Sequence, residues 1–455
     1  MCLLIDMSLG LSLSGGGSRA AAFHRGTVKA LEELGLVDKL SVVSTISGGS
    51  VFGAAWMASR KRGEETGLFL EEMGRELGKG FIGRSIRPRA AKMLVPGLTR
   101  TNVLADTFDS VFFKGMKLGD IPDSPRLCMN VSVLNNGHLG KFTKGEFKCA
   151  GITPPEHPRS YSEPVKMEEY PLSLAATASA AYPGLLAPIY LKRGKGGIPK
   201  GWGRDGLKDH SRFALVDGGV LDNLGVQSLL SSKSGLSCWD IIVSDAGTRE
   251  ELWKPRNIVV KAFKSAWDTA CAGVGVGIGW ISIGDLLRVN KVMFNKEVRQ
   301  MRHHLFDEQE KSWMMTAIDS GKADGALKEF VGRGRGSHGA RERRKILFIK
   351  INQFWDSMIG HIPNWRLWEL AARAGVKVGR YPDRGNTGEM EQFLAECGVD
   401  LAPAKDIFKR MGGDEAVRKA NDVATGFSKL PGESIDILYS HALWQAKALY
   451  GIYWK

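Results

Sequence analysis

Cysteines are few in this chain, and none is paired in sequence. The six, at positions 2, 128, 149, 238, 271 and 397, form no C-x-x-C motif, which argues for reduced thiols rather than a disulfide framework. No group of His, Cys, Asp and Glu has metal-ligand spacing, so neither a metal nor another cofactor is expected. Long apolar runs are missing too. The longest, Ala270 to Ile283, is too short and too rich in glycine to span a bilayer. The opening stretch, Met1 to Gly10, lacks the basic region of a signal peptide. The expectation is a soluble, cytoplasmic protein. In that compartment the glycosylation pattern Asn130-Val131-Ser132 goes unused.

Acidic residues are also short. There are 63 Lys and Arg against 49 Asp and Glu, a net charge of +14, and such an excess favours an anionic partner. The basic residues are spread along the chain and no nucleic-acid-binding motif accompanies them. An anionic membrane surface is therefore favoured over nucleic acid. With 43% hydrophobic and 25% charged residues, 455 residues are ordinary globular material with ample chain to bury a core.

Local patterns predict alternating strands and helices. Leu9 to Leu13 reads as a short buried strand, and a glycine run follows it at once. Ala20 to Leu34 has apolar residues at helical spacing, with Gly35 placed to end the helix. Leu40 to Ile46 is β-branched and reads as a second buried strand, which makes a right-handed parallel crossover. A helix over about Val51 to Arg60 follows. Later strands are expected at Arg126–Val133, Phe213–Val216, Asp240–Val243 and Lys345–Ile351. The fold class is α/β, a three-layer sandwich with a mainly parallel central sheet. Residues 191–211 and 332–345 read as glycine-rich, basic insertions. The simplest organisation is a catalytic domain over 1–355 and a helical C-terminal region over 356–455 packed upon it.

Ser47 lies between the second strand and the next helix, in Ser44-Thr45-Ile46-Ser47-Gly48-Gly49-Ser50. A nucleophilic hydroxyl needs a sharp strand-to-helix turn with small neighbours, and Gly48 and Gly49 supply them. The usual G-x-S-x-G reads Thr45-Ile46-Ser47-Gly48-Gly49 here, so its first glycine is missing. Taken alone, the segment fits a serine-rich helix cap equally well. Gly15, Gly16 and Gly17 expose backbone N–H groups without interference from a Cβ, which suits an oxyanion site. A glycine-rich turn at a helix start also cradles phosphate, but neither nucleotide-binding pattern fits these residues.

Ser14-Gly15-Gly16-Gly17-Ser18-Arg19-Ala20, the Ser47-Gly48 turn and Asp217-Gly218-Gly219 resemble the three signature motifs of the patatin-like phospholipases, relatives of the cytosolic phospholipase A group. Further similar segments are Ala178-Ser179-Ala180-Ala181-Tyr182-Pro183-Gly184, Asp222-Asn223-Leu224-Gly225 and Ser244-Asp245-Ala246-Gly247. The likeness covers residues 9 to about 250, with weaker similarity over Phe427–Tyr450. It implies a lipid acyl hydrolase, of phospholipase A or lysophospholipase type, with a Ser–Asp dyad. A general esterase or acyltransferase on the same dyad, and a non-catalytic lipid-binding protein of this fold, are the alternatives.

The dyad makes sense of the histidines. Nine are present, and none stands in a Ser…Asp…His order with supporting context. His24 falls inside the first helix and His441 inside the last. Asp217 ends the apolar strand Phe213–Val216, on the sheet edge where Ser47 is expected, with Gly218 and Gly219 leaving room around its carboxylate. Partial burial would raise its proton affinity and suit it to take the serine proton. Arg19 is expected to support the glycine loop rather than attract lipid phosphate. Asp222 and Asp245 are expected to bond turn N–H groups.

The substrate is then a phospholipid or related lipid ester, met at a membrane. Lys79 to Arg100 mixes cations with apolar residues and fits an interfacial helix or a solvated one equally. The run Ala272 to Trp280 is better suited to backbone packing than to a mobile cover. The arginine-rich 332–345 loop reads first as solvated.

Overall fold

A computed structural model of the chain describes residues 8–82, 84, 99–154, 163–183, 185–194, 196–204, 206–231, 234–247, 301, 345–376 and 382–454. Most of the basic segment before Arg100, the glycine run 272–280 and the arginine-rich loop before Lys345 lie outside the described residues.

Among the described residues, five strands form the parallel heart of the sheet. In spatial order they are β10 (Ile346–Lys350), β9 (Asp240–Asp245), β1 (Leu9–Leu13), β2 (Leu40–Thr45) and β3 (Arg126–Val133). Both β1 and β9 are buried along their whole length, as expected of parallel strands covered on two faces. Beyond β3 the sheet turns antiparallel through β4 (His138–Thr143), β5 (Glu146–Cys149) and β6 (Val165–Lys166). A hairpin of β7 (Ile189–Lys192) and β8 (Arg212–Asp217) joins β3 as well.

One register decides where the site lies. Thr45, the last residue of β2, pairs with Met129, and Asp217, the last residue of β8, pairs with Val131. The β2 pairing is parallel and the β8 pairing antiparallel. Both strands therefore run along one edge of β3 and end head to head, with Asn130 between them.

Helices α1 (Gly17–Glu33), α2 (Gly48–Lys61) and α3 (Thr66–Lys79) follow the first two strands. Gly35, at φ +64°, ends α1 as its position in the sequence suggests. Helices α4 (Arg100–Phe108), α5 (Leu172–Ser179) and α6 (Gln227–Leu230) come before β9. Among the described residues from Trp355 onward the regular elements are all helices: α7 (Trp355–Gly360), α8 (Asn364–Ala374), α9 (Thr387–Glu396), α10 (Ala402–Arg410), α11 (Gly413–Asp422) and α12 (Gly432–Tyr453).

The main apolar core lies between the sheet and α1, α2, α5 and α12, and a smaller one sits under Leu224, Leu229 and Cys238. Helix α12 lies directly on α1. The Gly26 backbone approaches the Tyr439 carbonyl so closely that an added Cβ would sit 1.9 Å from its oxygen. Cys128, Cys149, Cys238 and Cys397 are buried free thiols.

Candidate active site

Ser47 stands two residues past β2, immediately before α2, with φ +51°. Residues other than glycine rarely enter that region, and holding one there costs roughly 1–3 kcal/mol. The turn is held by hydrogen bonds. The Ser47 N–H donates to Ser179 Oγ at 3.0 Å. Ser179 gives its own proton to the Asn130 carbonyl at 2.6 Å. A hydroxyl has one proton to give, so Ser179 must accept from Ser50 Oγ, 2.8 Å away, as it does from Ser47. Ser179 had figured in the sequence only as part of a similar segment; a run of small residues gave no sign that its hydroxyl carries the turn.

The missing elbow glycine is also accounted for. Thr45 Oγ1 donates to the Cys128 carbonyl at 3.1 Å and meets Ser50 Oγ at 2.8 Å. Its methyl points at Gly53 of α2, where an added Cβ would come within 2.7 Å of Thr45 Cγ2. The space that a glycine gives the usual elbow is supplied here from the facing helix. Gly48 is needed for a different reason: a Cβ there would lie 2.3 Å from the Gly17 carbonyl oxygen. The starts of α1 and α2 are therefore in backbone contact.

Asp217 is 3% exposed, accepts the Gly219 N–H at 2.8 Å, and lies close enough to the Ser47 hydroxyl for that group to favour its ionised form. Burial pushes its carboxyl up to about 6, against the opposing pull of these two groups. Gly218 and Gly219 form the turn that begins where β8 ends. The half-buried Tyr182 lies near enough for the Asp217 charge to help burial raise its phenol.

The three glycines of the run differ in their bonding. The Gly15 N–H donates to the Asn223 carbonyl at 3.3 Å. Its Cα faces the nucleophile, since an added Cβ would lie 3.2 Å from Ser47 Cβ. For Gly16 and Gly17 the N–H groups find no acceptor among the described residues. Both have positive φ, +138° and +59°. Arg19 is buried, lies against Gly16 and donates to the Val423 carbonyl at 3.0 Å. Burial lowers its guanidinium to about 10, with Asp245 opposing the shift, so it stays charged at neutral pH.

The histidines considered in the sequence are engaged elsewhere. His24 Nε2 donates to the Ser14 carbonyl at 3.0 Å while Nδ1 meets Ser244 Oγ at 2.8 Å. His441 bonds the Ile351 carbonyl at 2.7 Å. Burial holds both near 4, so both are neutral at physiological pH. Asp222 accepts N–H bonds from Leu224, Gly225 and Gln227, and Asp245 accepts one from Gly247. Asn130 is fully buried and binds Ser44 Oγ and the Thr45 carbonyl, so the glycosylation pattern is closed by packing as well.

Residues 11–230 match the family model described as patatin-like phospholipase. They form a patatin-like phospholipase domain. Over 155 residues this chain is 27% identical to the neuropathy target esterase sws of Drosophila grimshawi and 26% identical to that of Drosophila melanogaster. The match takes in 33% of this chain and 10% of each fly protein, so the chain spans about a tenth of the length of these curated relatives. Human GIVD cytosolic phospholipase A2 aligns at 14% identity over 52% of this chain and 45% of its own, with a TM-score of 0.34. VipD from Legionella pneumophila aligns at 14% identity over 91% of this chain and 78% of its own, with a TM-score of 0.29. At such TM-scores these overlays add nothing to the topology above. No described helix is long and apolar enough to cross a membrane.

Proposed function

We propose that the patatin-like domain hydrolyses fatty-acyl esters of phospholipids or related lipids, with Ser47 as nucleophile and Asp217 as its base. The reading rests on one observation above all: a serine held at φ +51° lies beside a buried carboxylate whose proton affinity burial has raised to about 6. A carboxylate with that affinity can accept a serine proton in the transition state and release it again near neutral pH.

Ser47 Oγ attacks the ester carbonyl carbon as Asp217 takes its proton. The carbonyl π electrons move onto oxygen, and the N–H groups of Gly16 and Gly17 stabilise that oxyanion at the positive end of α1. Collapse breaks the ester C–O bond, the leaving alkoxide takes the proton from Asp217, and an acyl-serine remains. Water then attacks this ester, gives its proton to Asp217, and the second oxyanion collapses to free acid. Ser47 recovers its proton from Asp217. Gly15 sets the position of the loop, since its own N–H is committed to Asn223. Arg19 supports the same loop, because a buried guanidinium bonded to Val423 is not placed to attract lipid phosphate.

An anionic bilayer is the proposed partner, and the antiparallel wing is the proposed contact surface. Register places β7 and β8 beyond the ends of β1 and β2, on the Ser47 side of the sheet. Residues 190–214 hold seven Lys and Arg against two Asp, and Tyr190 and Leu134 stand exposed there. We also propose that residues 356–455 pack on the catalytic domain as one unit with it.

Purified wild type and Ser47→Ala are compared on phospholipid vesicles and for covalent labelling by a fluorophosphonate. The variant should lose both, with hydrolysis down by at least ~1000-fold. Full hydrolysis by folded Ser47→Ala would sink the proposal.

A further inference from the structure

We infer that residues 423–427, from the connection between α11 and α12, are a positioning strap that holds the glycine run in register with Ser47. The inference rests on the proposed use of the Gly16 and Gly17 N–H groups.

The strap reaches the run from more than four hundred residues along the chain, and it is bonded rather than merely adjacent. The Gly426 carbonyl accepts the Ser18 N–H at 2.6 Å, and Gly17 and Gly426 form a parallel bridge. The Arg19 guanidinium, lying against Gly16, donates to the Val423 carbonyl at 3.0 Å. Run and strap meet without a gap: a Cβ on Gly17 would lie 2.2 Å from the Gly426 oxygen.

The other side of the strap is anchored too. The Phe427 carbonyl accepts the N–H groups of Phe81 and Ile82 at 3.0 and 3.2 Å. Its ring packs edge-on against Phe108 at 5.3 Å, and the Leu430 N–H donates to the Leu77 carbonyl at 3.1 Å. One short segment thus connects α3, α4 and the start of α1.

The consequence concerns catalysis more than binding. The first four N–H groups of a helix have no partner within it, and the strap takes the one on Ser18. This fixes the rotation of the peptide units before it, and with them the direction of the two N–H groups to which the oxyanion is assigned. A strap displaced by a few tenths of an ångström would misdirect donors that work only on the developing oxyanion. Turnover should fall while substrate binding persists.

The test uses the full chain. Gly426 has φ +149° and open space at its Cβ position, so Gly426→Ala strains the strap backbone without a clash. Phe427→Leu, which loosens the anchor, is the second variant should the first fail to fold. Leu394→Ala, in the core of α9, controls for general destabilisation. Steady-state kinetics on a soluble lipid ester are read beside the melting temperature. Both strap variants should lose at least tenfold in kcat with KM within about twofold, and fluorophosphonate labelling of Ser47 should slow in parallel. Leu394→Ala should melt earlier with kcat unchanged. Strap variants that melt earlier at wild-type kcat would overturn the strap alone, leaving the dyad intact. Activity that survives in Ser47→Ala would instead remove the reading beneath it.

Discussion

Thr45 and Asp217 end their strands two residues apart on the same edge of β3, pairing with Met129 and Val131. Two chains running toward each other along one ladder must stop, and the gap where they stop is where the hydroxyl and the carboxylate meet. Asn130 fills that gap. Its amide bonds the Thr45 carbonyl at 3.0 Å, and its own carbonyl accepts the Ser179 hydroxyl that holds the Ser47 turn. The geometry of the pair is thus set by sheet register, which is more rigid than loop packing.

That geometry has a pH signature. Asp217 can serve as a base only when ionised, and its carboxyl titrates at about 6. The kcat/KM of the wild type should rise about tenfold per pH unit below that value and level off above it. Stability runs the other way. The folded carboxyl binds its proton more tightly than an unfolded one at 3.8, so ionisation opposes folding increasingly as pH rises from about 4 to 6. Asp217→Asn should therefore be inactive yet more stable at pH 7.5, by up to roughly 3 kcal/mol, and should lose that advantage near pH 4. Rate profiles and urea midpoints check the two halves; a flat profile between pH 5 and 7 counts against Asp217 as the base.

The displaced elbow glycine makes a separate claim. Gly53→Ala forces a methyl to within 2.7 Å of Thr45 Cγ2, and overpacking of this kind costs about 1–3 kcal/mol. Thr45→Ser removes the opposing methyl and keeps the hydroxyl's bond to the Cys128 carbonyl. The double variant should recover most of both stability and turnover, giving a coupling term that independent sites would not show. Additive losses in a thermal-melt cycle would contradict it.

Much of the parallel heart was legible because its strands are short buried apolar runs beside glycine-marked turns: Leu9–Leu13, Leu40–Thr45 and Asp240–Asp245 were all within reach of hydrophobic patterning. Of the antiparallel wing only β8 was read, as Phe213–Val216; β4 to β7 were not, although Asn136-Gly137 carries the strongest short hairpin signal. Strands such as β4, with partly exposed alternate residues, give little hydrophobic contrast. Ser47 and Asp217 stood out because glycine surrounds them. Ser179 and Gly426 did not, since each acts through a single hydroxyl or carbonyl whose partner lies more than a hundred residues away in sequence.

Two buried neutral histidines predict acid sensitivity. Burial holds His24 and His441 near 4 in the folded chain, against 6.5 when free. The unfolded state therefore takes up two more protons, and stability is lost as pH falls from 6.5 toward 4. Each contributes up to roughly 3 kcal/mol across that window, outweighing the opposite trend of Asp217. His441→Gln keeps an amide donor for the Ile351 carbonyl but cannot be protonated. Urea midpoints measured from pH 7 to 5 should fall less steeply for it than for wild type; identical slopes would show that His441 does not drive the acid loss.

The wing offers the most direct test of membrane contact, because its charges lie apart from the dyad. Lys192, Lys200 and Lys208 are exposed, and Arg212 is spread over the Tyr190 ring at 4.2 Å, which leaves an apolar edge ringed by cations. Each lysine near an anionic surface adds about 1 kcal/mol of attraction, screened within a Debye length. Replacing all three by glutamine should therefore weaken partitioning onto vesicles rich in phosphatidylserine by roughly 100-fold. The wild type should show a comparable loss at 1 M salt. Hydrolysis of a soluble monomeric ester should stay unchanged, because none of the three touches Ser47, Asp217 or the glycine run. Vesicle sedimentation paired with that soluble assay separates the effects. Equal binding of wild type and triple variant at low salt would move the membrane contact off the wing, and a parallel loss of soluble-ester turnover would mean the wing shapes the site itself.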